Sequence, residues 1–136
     1  ATLPTGPSPE RLPSNVRVER FIPHGHLLPR ATCVVCHGGP GITQKALAAG
    51  VPVVAVPFAY DRFEVARRVQ VAGAGVMLPG KHLTRARLRK AVRQAIRCKP
   101  GAERIAEAFR RAGGVPAAVD AIEELIANWR EPGVCS

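Results

Sequence analysis

The chain has 136 residues, enough for one domain that buries about two-thirds of the surface its unfolded form exposes. Its apolar fraction of 46% is that of globular proteins, and no apolar run nears the roughly 18–20 residues of a membrane-spanning helix. Twenty Lys and Arg against ten Asp and Glu leave a net charge of +10, which raises nucleic acid as a competing class of partner. The opening stretch ATLPTGPSPERLPSN has neither the basic start nor the apolar core of a secretion signal, so the expected location is cytoplasmic.

Residues 1–14 are proline-rich without periodicity and read as an extended arm. Val16 and Val18, with Phe21 following, suggest a short strand. The run from Ala31 to Cys36 and the run from Val51 to Val56 are β-branched and too short for buried helices, so both read as central parallel strands. Between them, a helix starts near Pro40 and stops at Gly50. After Asp61 a second amphipathic helix carries Phe63, Val65, Ala66 and Val69 to a stop at Gly73, and GAGVML forms a third strand. Thr84 can cap a helix whose Leu88, Val92 and Ile96 recur at four-residue steps. A further helix runs near Ala102 to Ala112, and a last one, from about Pro116, carries Val119, Ile122, Ile126 and Trp129 on one stripe. Strands alternating with helices imply an α/β fold with a doubly wound parallel sheet, Rossmann-like, over residues 15–130, leaving 131–136 as a tail. Ligands of such sheets lie beyond the carboxyl ends of the strands.

The turn at such an end reads His37-Gly38-Gly39-Pro40-Gly41. Three glycines leave the backbone free of side-chain bulk, so amide N–H groups can approach an anion closely. Pro40 has no N–H to lose and suits a first helical turn, and the unpaired amides and dipole at a helix start favour a diphosphate. Against this, the glycines serve a tight turn alone, and His37 satisfies a turn carbonyl.

The ordered series H-G-G-x-G, then A-L-x-x-G-V-P-V-V-x-V-P, then Asp61 past the last proline, resembles the donor-binding signature of family 1 glycosyltransferases of the GT-B fold, including the bacterial natural-product enzymes. The resemblance extends upstream to Phe21-Ile22-Pro23-His24 and downstream to the helix ending near Trp129, so it covers most of the chain. It implies the C-terminal, donor-binding half of an enzyme that moves a hexose from a UDP- or TDP-sugar to an acceptor hydroxyl. It also implies that the chain lacks the first strand and helix of this domain and the N-terminal acceptor domain with its general base. No catalytic residue is then expected here, and the small-molecule acceptor would be bound by the missing domain.

By the same resemblance, His37, Gly38, Gly39, Gly41, Ile42 and Thr43 form the diphosphate site. Ile42 stands where the family has Ser or Thr, with Thr43 one step later. Phe21 takes the place of a base-stacking tryptophan and His24 that of a glutamine reading the base edge; core packing is the other use of Phe21. Lys45 replaces a glutamate that accepts from the ribose hydroxyls; a lysine cannot accept, so it donates to ribose or phosphate or is simply solvated. Asp61 matches an aspartate on the hydroxyls of the transferred sugar, and helix capping is compatible with that role. Arg62 replaces the glutamine after it and can still donate. Amides, helix end and His37 offset the leaving-group charge, so no metal or other cofactor is expected.

Two other patterns compete. Cys33-Val34-Val35-Cys36-His37 has the spacing of a haem-attachment motif, but it reads as a buried strand running into an anion turn. Zinc would need two more ligands, and Cys98 and Cys135 have no paired spacing. Arg85, Arg89, Arg93 and Arg97 form a stripe on one helix, at a cost of a few tenths of a kcal/mol per like-charged pair. With few aromatics and no recognised motif, a solvated face is preferred over a basic nucleic-acid module. The departures at Ile42, Lys45 and Arg62 keep open a third possibility, a non-catalytic sugar-nucleotide-binding or scaffold domain.

Overall fold

A computed structural model describes residues 1–2, 5–6, 11–59 and 61–129. Three parallel strands, β1 (Val34–Cys36), β2 (Val53–Ala55) and β3 (Gly75–Met77), form a sheet in the order β1-β2-β3. Val34 pairs with Val53 and Val53 with Gly75, so the register steps evenly across the sheet. The helices are α1 (His24–Leu27), α2 (Pro40–Ala48), α3 (Asp61–Val71), α4 (Arg85–Arg97), α5 (Lys99–Arg111) and α6 (Gly114–Ala127). Each strand is shorter than the apolar run that contains it; β1 takes only the last three residues of its run.

The alternation of side chains along β2 sorts the helices into two layers. Val53 and Ala55 face one cluster with Ala46 and Leu47 of α2, Ala66 and Val69 of α3 and Ala102 of α5. Val54 faces the other with Leu78 and with Ala91 and Ala95 of α4. All three β2 residues are buried, so the strand reads as a continuous apolar run. Small residues dominate the seams: a side chain on Gly75 would strike the carbonyl of Val53, and one on Gly101 the carbonyl of Gly73.

Several elements depart from the sequence expectation. Val16 to Phe21 forms no strand; the segment holds a single parallel bridge, Thr2 to Glu19, closed by the Glu19 amide donating to Ala1 at 3.0 Å. An isolated extended segment without a neighbouring ladder does not extend into a strand. Helix α5 begins at Lys99, ahead of Ala102, with Pro100 in its first turn where a missing N–H costs nothing. Helix α6 begins at Gly114 and buries none of its residues, so Val119, Ile122 and Ile126 lie exposed, with Trp129 just beyond. The expected cap of α4 is present: the Thr84 hydroxyl accepts from the Arg87 amide at 3.2 Å. The expected tail, 131–136, and residues 3–4 and 7–10 of the expected arm lie outside the described residues.

Candidate functional site

Strand β1 delivers His37 to its carboxyl end, and the chain turns there through Gly38 into α2. Gly38 has φ +84°, a backbone conformation that a side chain disfavours, and a Cβ on it would lie 3.2 Å from the carbonyl oxygen of Arg62. The turn after β1 is thereby packed against the start of α3, so Asp61 and Arg62 reach the same end of the sheet as His37. Gly39 is extended and precedes α2 without any side-chain cap. A Cβ there would sit 2.5 Å from His37 Nε2, so the bare Gly39 is what lets the imidazole lie over the turn.

The first turn of α2 has Pro40 at its head, and the Gly41 and Ile42 amides have no hydrogen-bond partner among the described residues. Gly41 has open space where a Cβ would stand, with no atom of the described residues within 4 Å, and it is not at positive φ. The fold gives no reason for glycine at this position. A glycine that nothing in the fold requires, next to unpaired amides, is what close approach of a ligand to the backbone would need.

Below the turn lies a cleft of about 510 Å³ whose wall includes His24, Leu27, Val35, Cys36, His37 and Ile42. It joins two segments that are separate in sequence, the short helix α1 and the strand–turn–helix unit. Lys45 is exposed and lies one helical turn beyond Ile42, on the same face of α2. Asp61 is exposed and Arg62 half-buried. Phe21 is 80% exposed and does not line the cleft. It is therefore not packed in the core, which was the competing use of that ring.

Thr43 is turned toward the sheet. It is 2% exposed, and its Oγ1 lies 3.7 Å from Cys36 Sγ, directed at the sheet and away from the open turn. The two cysteines of the haem-like pattern belong to opposite faces, Cys36 to the cluster under α2 and Cys33 to the cluster under α4. Burial pushes the Cys33 thiol above its ordinary pKa and holds it protonated.

Phe58 was not singled out in the sequence. It follows β2 at the same sheet end, is 62% exposed, and its ring occupies the space beside Gly80 that a side chain there would need. The available signal was a large apolar residue directly after the buried Val56-Pro57 that follows β2.

A parallel sheet carrying an uncapped helix start, a bare glycine and an imidazole at one end has the architecture of a nucleotide-binding α/β domain. The chain belongs to the family described as "Erythromycin biosynthesis protein CIII-like, C-terminal domain", whose model matches residues 3–127. It is 42% identical over 120 residues to 4'-demethylrebeccamycin synthase of Lentzea aerocolonigenes, covering 86% of this chain and 28% of that protein. It is 37% identical to 3-alpha-mycarosylerythronolide B desosaminyl transferase of Saccharopolyspora erythraea, covering 89% of this chain and 30% of that protein. Among solved structures, the calicheamicin glycosyltransferase CalG4 superposes with a TM-score of 0.80 at 32% identity, over 87% of this chain and 32% of that one. The glycosyltransferase VinC, solved in complex with DTDP, superposes at 0.76 with 34% identity, over 87% of this chain and 30% of that one. The chain thus spans under a third of each of these four relatives. These relatives favour neither the scaffold nor the nucleic-acid reading. Among the described residues no helix is long and apolar enough to cross a membrane.

Proposed function

We propose that this chain is the donor-binding part of a cytoplasmic glycosyltransferase and holds the diphosphate of a UDP- or TDP-sugar at the start of α2. The observation that carries this reading is the pair of amides on Gly41 and Ile42 that have no partner among the described residues, next to His37 and Ile42 in the wall of the cleft. These amides and the imidazole donate to the diphosphate oxygens, and the dipole of α2 adds to their field. Thr43 takes no part, because its hydroxyl faces the sheet. The base lies along the cleft toward His24, with Phe21 free to stack on it, and Lys45 donates to ribose or phosphate. Asp61 and its neighbour Arg62, which is packed against Gly38, face the transferred sugar.

In the reaction the bond between the anomeric carbon and the diphosphate oxygen breaks as the acceptor oxygen bonds to that carbon. The acceptor's proton passes to a general base outside this chain, and negative charge develops on the diphosphate. Donors already aimed at those oxygens stabilise that charge without reorganising, so the reading requires no metal. The acceptor is a small molecule bound outside this chain.

The test is a titration of the chain with UDP, TDP and inorganic phosphate, repeated on His37→Ala. Loss of the imidazole should weaken nucleotide binding by about 1–3 kcal/mol, roughly 5- to 150-fold. Equal affinity of the two proteins for UDP and TDP would remove His37 from the site. Turnover of neither UDP- nor TDP-sugars by the full-length protein, with nucleotide still bound, would leave a binding domain without transfer.

A further inference from the structure

On α3 and α5, where exposed Arg67 and Arg104 make no ion pair among the described residues, four other cations have carboxylates one helical turn away: Arg68 with Glu64 at 2.9 Å, Lys99 with Glu103 at 3.5 Å, and Arg110 and Arg111 both with Glu107. Helix α4 has none. It contains no acidic residue, and among the described residues Arg85, Arg89, Lys90, Arg93 and Arg97 make no ion pair. Like charges at four-residue steps repel, and cations in the first turn oppose the helix dipole, so α4 forms against its own electrostatics. Its buried residues, Ala91 and Ala95, and the Thr84 cap hold it in place.

We infer that the outer face of α4 is a docking surface for an acidic helix of a protein partner, read by Arg85, Arg89, Arg93 and Arg97. These arginines follow the i±4 ridge, the row that packs helix against helix, and run about 18 Å along the axis. Beside them lies a shallow groove of about 310 Å³ lined by Ala86, Lys90 and Gln94 together with Arg89, Arg93 and Arg97. A partner helix with glutamates at every fourth residue would present its own ridge at the same pitch. The stripe is made of arginine, whose planar fork pairs a carboxylate in two-point fashion, where a surface reading charge alone needs only lysine. Single-stranded nucleic acid is disfavoured because no aromatic residue lies on α4 to stack a base. The face is on the opposite layer from α2, so this surface is independent of the nucleotide site.

The chain is titrated at physiological salt with a labelled alanine-based peptide carrying glutamate at every fourth position, and with a scrambled peptide of equal composition. An oligothymidylate and phosphatidylserine vesicles serve as the other polyanions. The stripe peptide should bind about tenfold more tightly than the scrambled one, and Arg89→Gln with Arg93→Gln should abolish that preference. The double variant should keep the fold, checked by its melting temperature and its UDP or TDP affinity. Equal binding of both peptides would reduce the stripe to unspecific charge attraction and overturn the inference. So would tighter binding of the oligonucleotide or vesicles, or an unchanged preference in the double variant.

Discussion

Two sets of glycines divide this molecule. At the sheet–helix seams, a side chain on Gly75 would meet the Val53 carbonyl and Val69, and one on Gly101 would meet the backbone of Gly73. At the head of α2, a side chain on Gly41 would meet nothing among the described residues. The first set is dictated by the fold, because three short strands are covered by helices lying close enough to require it. The second is not, and a residue that forgoes the helical preference of alanine without packing in return points outward, to a ligand. Gly38 stands between the two: its positive φ and the nearby Arg62 carbonyl belong to the fold, yet the contact it permits brings α3 to the site.

Substitution breaks the comparison at its strongest point first. Gly75→Ala forces a methyl group onto the β2 backbone, which cannot yield as a flexible side chain would. The expected loss is about 3 kcal/mol, a fall of about 10 °C in melting temperature by calorimetry. A melting temperature equal to the parent's would mean that the seam is looser than its geometry. Gly38→Ala comes next. The left-handed conformation and the 3.2 Å approach of the Arg62 carbonyl together cost about 1–2 kcal/mol. Because Arg62 must shift, nucleotide-sugar affinity should fall along with stability, whereas free phosphate, which does not reach α3, should lose less. Equal losses for both ligands would separate Asp61 and Arg62 from the sugar.

Much of this frame is legible in the sequence, for physical reasons that differ by element. The β-branched runs containing β1 and β2 and the glycine turn between them announce a parallel strand–helix–strand unit, because local chemistry alone restricts them. The segment Val16 to Phe21 has the same local character but no ladder to join, and pairing is not a local property. Thr43 was readable: it lies three and four residues before Ala46 and Leu47, on the row that α2 buries, so its hydroxyl had to point inward. The meeting of Phe58 with Gly80, and of Gly38 with Arg62, joins segments that follow different strands and follows only from the register of the sheet. The pairing of charges on α3 and α5 could be counted in the sequence, but its absence on α4 acquires meaning only once that face is seen exposed.

Gly41→Ala has the smallest effect on the fold and discriminates best. Its backbone is helical and its surroundings are empty, so alanine should raise stability by about 0.5 kcal/mol by narrowing the unfolded ensemble. If the glycine serves only the turn, nucleotide affinity should stay level or improve with the firmer helix. If a diphosphate lies against the Gly41 and Ile42 amides, the new methyl group stands in its path, and UDP or TDP affinity should fall about tenfold while the melting temperature rises. Stability and binding then move in opposite directions. No loss of packing produces that pair of signs, which makes this substitution the one that separates a ligand's requirement from the fold's.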